Sequence, residues 1–215
     1  MSRDVDRRVF LWTLLAGVPL ACRRAAALQR GGSAAERLIA AIQDGGKIIY
    51  LRHAATNHQE IDTGRLGDRG GQRNLSREGI EQARLLGRAL RALRVPLNEI
   101  LTSPVFRARD TAELAFGADR VRETMDLVAD EYAGDHLRAM LEATGRLLRT
   151  SAGPGMNRVL VGHRTPLERV TERQLPDGVL PEGAMAVFLP GADIQLLGTI
   201  TAERVIASAK ARGAL

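Results

Sequence analysis

KIIYLRHAAT, residues 47–56, is the stretch whose reading decides the fold. Gly45-Gly46 marks a turn, and the apolar, largely β-branched run Ile48-Ile49-Tyr50-Leu51 that follows has the length and composition of a short buried strand. Arg52 and His53 then stand where that strand ends, the edge at which open α/β sheets place their chemistry. An arginine offers a permanently charged planar fork suited to two phosphate oxygens, and the adjoining histidine is neutral and nucleophilic near neutral pH. The pair points to phosphoryl transfer. It is equally compatible with a solvated Arg-His step after a strand, so the decision passes to the rest of the chain.

Toward the C-terminus the chain alternates strand and helix patterns. Residues 57–74 are rich in Asp, Gly and Arg without apolar periodicity and form a long loop over the strand end. Ser76 is a natural helix cap, Glu78 favours the positive end of the helix, and Ile80, Ala83, Leu86, Leu90 and Leu93 recur at helical spacing until Pro96 stops them. Glu99-Ile100-Leu101-Thr102 reads as a second strand. Ser103-Pro104 reads as a cap followed by proline at the first helical position, which puts Arg107 in the first turn of a helix reaching Phe116. After a polar stretch through Glu131, a helix over 135–148 leads to the Gly153-Pro154-Gly155 turn and a third strand, Arg158-Val159-Leu160-Val161-Gly162, with His163 at its end. Residues 184–189 and 194–200 form a terminal strand pair, and 201–212 a closing helix. Strands alternating with helices predict an α/β fold: a three-layer α/β/α sandwich whose central sheet is mostly parallel with an antiparallel edge. Parallel strands ending at Leu51, Thr102 and Gly162 would bring Arg52, His53, Arg107 and His163 to one edge.

Upstream of the strand, residues 34–42 carry Leu38, Ile39 and Ile42 at the spacing of a short helix. The first 27 residues have a different character. Arg7-Arg8 is followed by Phe10-Leu11 and an apolar run to about Ala21, the length of a signal-peptide core. The segment resembles a twin-arginine export signal. Ala25-Ala26-Ala27 supplies small residues for cleavage, with lipidation at Cys22 as the alternative. The expected organisation is an export signal over 1–27, a linker and short helix over 28–46, and one catalytic domain over 47–215, in a periplasmic or secreted bacterial protein.

Charge and composition narrow the function. The 215 residues are 45% hydrophobic and 26% charged, with a net charge of +6 and a pI near 10.5. Residues 1–27 hold five arginines and two aspartates, so without them the charge falls to +3. The remainder has few aromatics and no long basic run, which argues against a nucleic-acid surface and for a mildly cationic pocket. One cysteine, Cys22, excludes an intramolecular disulfide and a multi-cysteine zinc site.

Four ordered motifs carry a family resemblance: LRHAAT, LSREGIEQARLLG, SPVFRARDTA and VLVGH. In these the chain resembles the histidine phosphatase (phosphoglycerate-mutase-like) superfamily over roughly residues 48–163. The resemblance implies that His53 is the nucleophile that becomes transiently phosphorylated, and that Arg52, Arg107 and His163 grip the phosphoryl oxygens. It implies a phosphomonoesterase without cofactor or metal, acting on a small-molecule or surface-borne phosphate ester; a non-catalytic phosphate binder and a phosphomutase are the alternatives. Ala54 replaces the family's glycine after the catalytic histidine. Thr56 takes the family's hydroxyl position as a further phosphate contact, while His58 and Gln59 are candidate substrate contacts. For the general acid, the family's placement points to Glu131, with Asp130 and Asp126 as rivals; Arg164 stands where another branch has aspartate.

Overall fold

A computed structural model describes residues 32–215, of which Ser33–Leu215 form one compact unit. The expected export signal, with Cys22, lies outside the described residues. Helix α1 (Ala34–Gln43) is capped by Ser33, whose hydroxyl accepts from the Glu36 amide, and buries Leu38, Ile39 and Ile42. Strand β1 (Ile48–Arg52) follows and is buried along its whole length. Its side chains alternate between two cores, Ile49 and Leu51 to one face and Ile48 and Tyr50 to the other. A strand covered on both sides has to read as an unbroken apolar run, as this one does.

Helix α2 (Arg77–Ala92) starts at the predicted Ser76 cap and leads to β2 (Leu97–Thr102). Helix α3 (Phe106–Phe116) comes next, followed by a three-residue strand β3 (Val121–Glu123), a one-turn helix α4 (Asp130–Ala133) and helix α5 (Leu137–Arg149). Strand β4 (Asn157–Gly162), helix α6 (Arg164–Thr171), strands β5 (Met185–Leu189) and β6 (Gln195–Ile200), and helix α7 (Ala202–Ala211) complete the unit. The sheet order is β3-β2-β4-β1-β5-β6, parallel from β3 to β1, with β5 and β6 antiparallel. Helices α1, α2, α3 and α7 pack on one face through the larger core, and α5 and α6 on the other. The predicted mixed α/β sandwich, parallel with an antiparallel edge, is the fold observed.

Three local readings need correction. Ser103 does not cap α3: the helix begins at Phe106 with Val105 at its boundary, because Ser103 turns its hydroxyl to His163 instead. Strand β3 was unpredicted, since three residues cannot display a period. Helix α6 was also missed; its sequence RTPLERVT buries only Pro166 and Leu167, too little apolar pattern to mark it.

One glycine fixes how α2 meets the strand end. A Cβ on Gly79 would collide with the Ala55 carbonyl, and the Ser76 amide donates to that same carbonyl at 3.0 Å. The first turn of α2 therefore lies directly on the residues after His53.

Candidate active site

Register brings the two histidines together. Parallel pairing of β1 with β4 matches Arg52 to Gly162, so the next residue on each strand is a histidine. The His53 amide donates to the Gly162 carbonyl at 3.0 Å, and the rings lie 5.5 Å apart between centroids, tilted by 54°. Strand β2 ends one step earlier against Val161, and the Ser103 amide continues the ladder to the Val161 carbonyl at 2.9 Å. From there one short turn carries the chain into α3, where Arg107 is buried in the first turn. All four predicted residues thus meet at the C-terminal edge of the parallel strands.

Hydrogen bonds fix both imidazoles. His53 Nδ1 lies 3.0 Å from the Ala54 carbonyl, which only accepts; Nδ1 therefore carries the proton and Nε2 keeps its lone pair. His163 Nε2 lies 2.9 Å from Ser103 Oγ, which itself accepts from the Val105 amide at 3.2 Å. Ser103 is thus the partner of Nε2, while Nδ1 is buried with no partner among the described residues. Tyr50 locks the backbone beneath it, its hydroxyl donating to the His163 carbonyl and accepting from the His163 amide. Thr111 joins the two halves of the site by accepting from the Ala54 amide and donating to the Arg107 carbonyl. Ala54 adopts an ordinary backbone conformation, so its methyl introduces no strain where the resembling family has glycine.

Burial depresses the pKa of both histidines well below 6.5, and the charges of Arg107, Arg52 and Arg73 push the same way; for His163, the neighbouring His53 adds to it. Both rings are therefore neutral at neutral pH, the state in which His53 Nε2 is a nucleophile.

The two arginines are held by carboxylates from outside the sheet. Arg107 Nη1 contacts both Asp62 oxygens, at 2.9 and 3.1 Å, and its Nη2 donates to Glu131 Oε1 at 2.7 Å. Tyr132 donates to Asp62 Oδ1 at 2.5 Å. Burial works to raise the Asp62 pKa, but the bonds from Tyr132 and the Arg73 amide, with Arg107, hold it below the usual carboxylate value. Arg52 Nη1 donates to Asp177 at 2.5 Å and to the Leu180 carbonyl at 2.8 Å, and Asp177 also takes Arg164 at 2.8 Å.

The remaining predicted residues divide. Glu131 joins the site through Arg107, with its side chain 45% exposed. Asp130 turns away into an ion pair with Arg169 on α6, and the Asp126 carbonyl accepts from Thr144 on α5. Thr56 is buried, but its hydroxyl and amide both bond Glu182, at 2.8 and 3.0 Å. His58 is exposed and lies 3.7 Å from Glu182. Gln59 is exposed, and its backbone amide donates to the Asn57 side chain at 3.2 Å. Asp62, Asp177 and Glu182 were missed. The first two sit in loops with several equivalent acids; Glu182 was findable, because a residue just before a strand antiparallel to β1 must lie beside the end of β1.

A protein-family model described as histidine phosphatase superfamily (branch 1) matches residues 48–131. The match covers the first strand with Arg52 at its end, the following His53 and the chain as far as Glu131. Among solved structures, the protein histidine phosphatase SixA complexed with tungstate is 15% identical, with a TM-score of 0.53 over 74% of this chain and 99% of its own. At that identity the likeness is one of fold alone. Phosphoserine phosphatase from Entamoeba histolytica in complex with 3-phosphoglyceric acid is 13% identical, with a TM-score of 0.49 over 74% of this chain and 98% of its own. Phosphoglycerate mutase from Thermus thermophilus is 24% identical, with a TM-score of 0.48 over 72% and 98%. No curated protein matches the chain. Among the described residues no helix is long and apolar enough to cross a membrane.

Proposed function

We propose that the protein is a metal-independent phosphomonoesterase that works through phospho-His53 on a small-molecule or surface-borne phosphate ester. The observation that carries this reading is the pairing of two neutral buried histidines, 5.5 Å apart, with Arg52 and Arg107 at the same sheet edge. In the first displacement His53 Nε2 attacks phosphorus while the ester P–O bond breaks and its electron pair leaves with the alcohol oxygen. Glu131 is the carboxyl placed to give that oxygen its proton, being the acid on Arg107 that solvent reaches. In the second, water attacks phosphorus and gives a proton to the Glu131 carboxylate, the P–N bond breaks and Nε2 recovers its pair. Arg52, Arg107 and His163 stabilise the charge on the equatorial oxygens in both steps, which is the main work of phosphoryl-transfer sites. To engage phosphate, Arg107 exchanges Asp62 and Glu131 for substrate oxygens.

Phosphate release from a generic aryl phosphate by protein purified in EDTA tests the reading, together with acid-labile phosphate trapped on His53. Absence of turnover between pH 4 and 8 sinks the enzyme reading, and activity lost to EDTA and restored by a divalent ion sinks metal independence. Export by a twin-arginine signal over residues 1–27 is part of the proposal, supported by Arg7-Arg8, Phe10-Leu11 and the apolar run that follows. Trp12 is the only tryptophan, so exported and cleaved protein should lack tryptophan fluorescence. Unchanged localisation after Arg7→Lys/Arg8→Lys rules this route out.

A further inference from the structure

Glu182 takes no part in the reaction as drawn, yet it is built into the nucleophile's surroundings. Its side chain is only 12% exposed. Oε1 accepts from the Thr56 hydroxyl at 2.8 Å and Oε2 from the Thr56 amide at 3.0 Å, so two donors aim the carboxylate. Its backbone is tied to the same place: the Gly183 amide donates to the His53 carbonyl at 2.8 Å, and Gln82 donates to the Glu182 carbonyl at 3.3 Å. So held, Oε1 lies 3.9 Å from His53 Nδ1 and 3.9 Å from Arg52 Nη2, while Oε2 lies 3.7 Å from His58 Nε2. Among the described residues it is the only carboxylate with an oxygen within 4.0 Å of a His53 ring nitrogen.

Charge bookkeeping at the ring gives this placement a consequence. When Nε2 bonds to phosphorus, Nδ1 keeps its proton and the ring becomes a cationic phosphoimidazolium. Burial opposes that cation, and Arg107, Arg52 and Arg73 repel it. The Ala54 carbonyl supplies a hydrogen-bond acceptor but no charge. We propose that Glu182 is a positioning residue for His53: from the Nδ1 side of the ring, whose proton the Ala54 carbonyl already holds, it supplies the counter-charge for the phosphohistidine. The carboxylate never touches phosphate. It speeds formation of phospho-His53, and it keeps Nδ1 protonated so that the ring leaves phosphorus as neutral imidazole rather than as an anion.

This rests on the phosphohistidine chemistry proposed above, and the test separates the two. With an aryl phosphate in single turnover, the burst of released phenol reports formation of phospho-His53, and decay of acid-labile phosphate reports its hydrolysis. Glu182→Gln keeps an oxygen acceptor for the Thr56 hydroxyl and removes the charge. It should lower the burst rate by roughly tenfold, equal to about 1.4 kcal/mol. It should also move the alkaline limb of phosphohistidine decay to lower pH, with KM little changed. A role confined to holding Thr56 would leave that limb in place. His58, Arg52 and Arg73 bear on the same profile, so it is compared between variants rather than assigned to one group. If Glu182→Gln does not fold, Glu182→Asp carries the test: the charge is withdrawn by one methylene and the limb should shift the same way by less. A burst rate and limb both equal to those of the unaltered protein overturn the inference while phospho-His53 stands. Absence of phospho-His53 in the unaltered protein overturns both.

Discussion

Arg52 and Arg107 enter the site from the sheet edge, one as the last residue of β1 and the other in the first turn of α3, and both are almost fully buried. The carboxylates that face them arrive differently. Asp62 lies in the loop over residues 57–74, and Asp177 and Glu182 lie between α6 and β5. The loop around Asp62 is secured mainly by polar contacts: Thr63 and Gly71 pair backbones at 2.8 Å, and Glu60 accepts from the Asn74 amide and side chain. Its neighbour Ile61 is 77% exposed. A cationic floor is thus set by strand register and core packing, while an anionic roof is set by a few hydrogen bonds with little apolar burial beneath them. Variants in the floor should therefore remove chemistry, and variants in the roof should retune it.

The largest effect belongs to the floor. His53→Ala removes the proposed nucleophile, and turnover of an aryl phosphate should fall to the background of the assay, whereas residual multiple turnover would place the nucleophile elsewhere. Arg107→Ala removes a fixed donor to developing charge and should cost about 10²–10³ in kcat. Glu131 stands between the two regions, and its expected effect depends on the leaving group. Glu131→Gln should slow alkyl phosphates by roughly 10² and aryl phosphates far less, because a phenol leaves without needing a full proton. Equal losses on both substrates would deny it the role of acid.

This division explains how much of the site was legible in the sequence. Arg52, His53 and His163 were legible because a buried parallel strand must be apolar to its end, so the first polar residues after Leu51 and Gly162 announce the sheet edge. Arg107 was legible through the helix that Ser103-Pro104 foretold, although Ser103 proved to serve His163 rather than the helix. The roof had no such grammar. Residues 57–74 contain two aspartates and a glutamate in a polar background, and only the folded chain shows that Asp62 meets Arg107 while Glu60 holds Asn74. Thr56 shows the same limit, since a hydroxyl at the matching position bonds Glu182.

Acid should weaken the floor and roof together. The folded-state pKa values of His53 and His163 are depressed well below 6.5 by burial and the nearby arginines, so between those values and 6.5 the unfolded chain binds more protons. Stability is therefore complete above 6.5 and declines as pH falls below it. The depressed carboxylates act in the same direction at lower pH: bonds from Arg52 to Asp177, and from Tyr132, the Arg73 amide and Arg107 against the burial of Asp62, lend stability that is lost as those groups protonate. For the two buried histidines each tenfold difference in proton affinity is worth about 1.4 kcal/mol, or about 3–5 °C in Tm for a chain of this size. Melting curves should show Tm falling from pH 7 to pH 5, and His163→Gln should flatten that slope. A Tm that rises toward pH 5 would contradict neutral buried histidines.

The smallest effect tests the roof alone. Asp62 occupies Arg107 Nη1 with both oxygens and is steadied there by Tyr132, so a phosphoryl group reaching for that nitrogen competes with a carboxylate already in place. Asp62→Asn keeps the shape and one acceptor oxygen but removes the charge. The exchange becomes easier, and KM for an aryl phosphate should fall by roughly threefold to fivefold, about 0.6–1 kcal/mol, the upper part of the range for exposed ion pairs. The value of kcat should change little, because Asp62 is absent from the clamp once phosphate is bound. Higher ionic strength should narrow the difference between the two proteins, since salt weakens the pair that the variant has already lost. A raised KM would mean instead that Asp62 orients Arg107 for substrate, and the roof would then belong with the floor as part of the phosphate clamp.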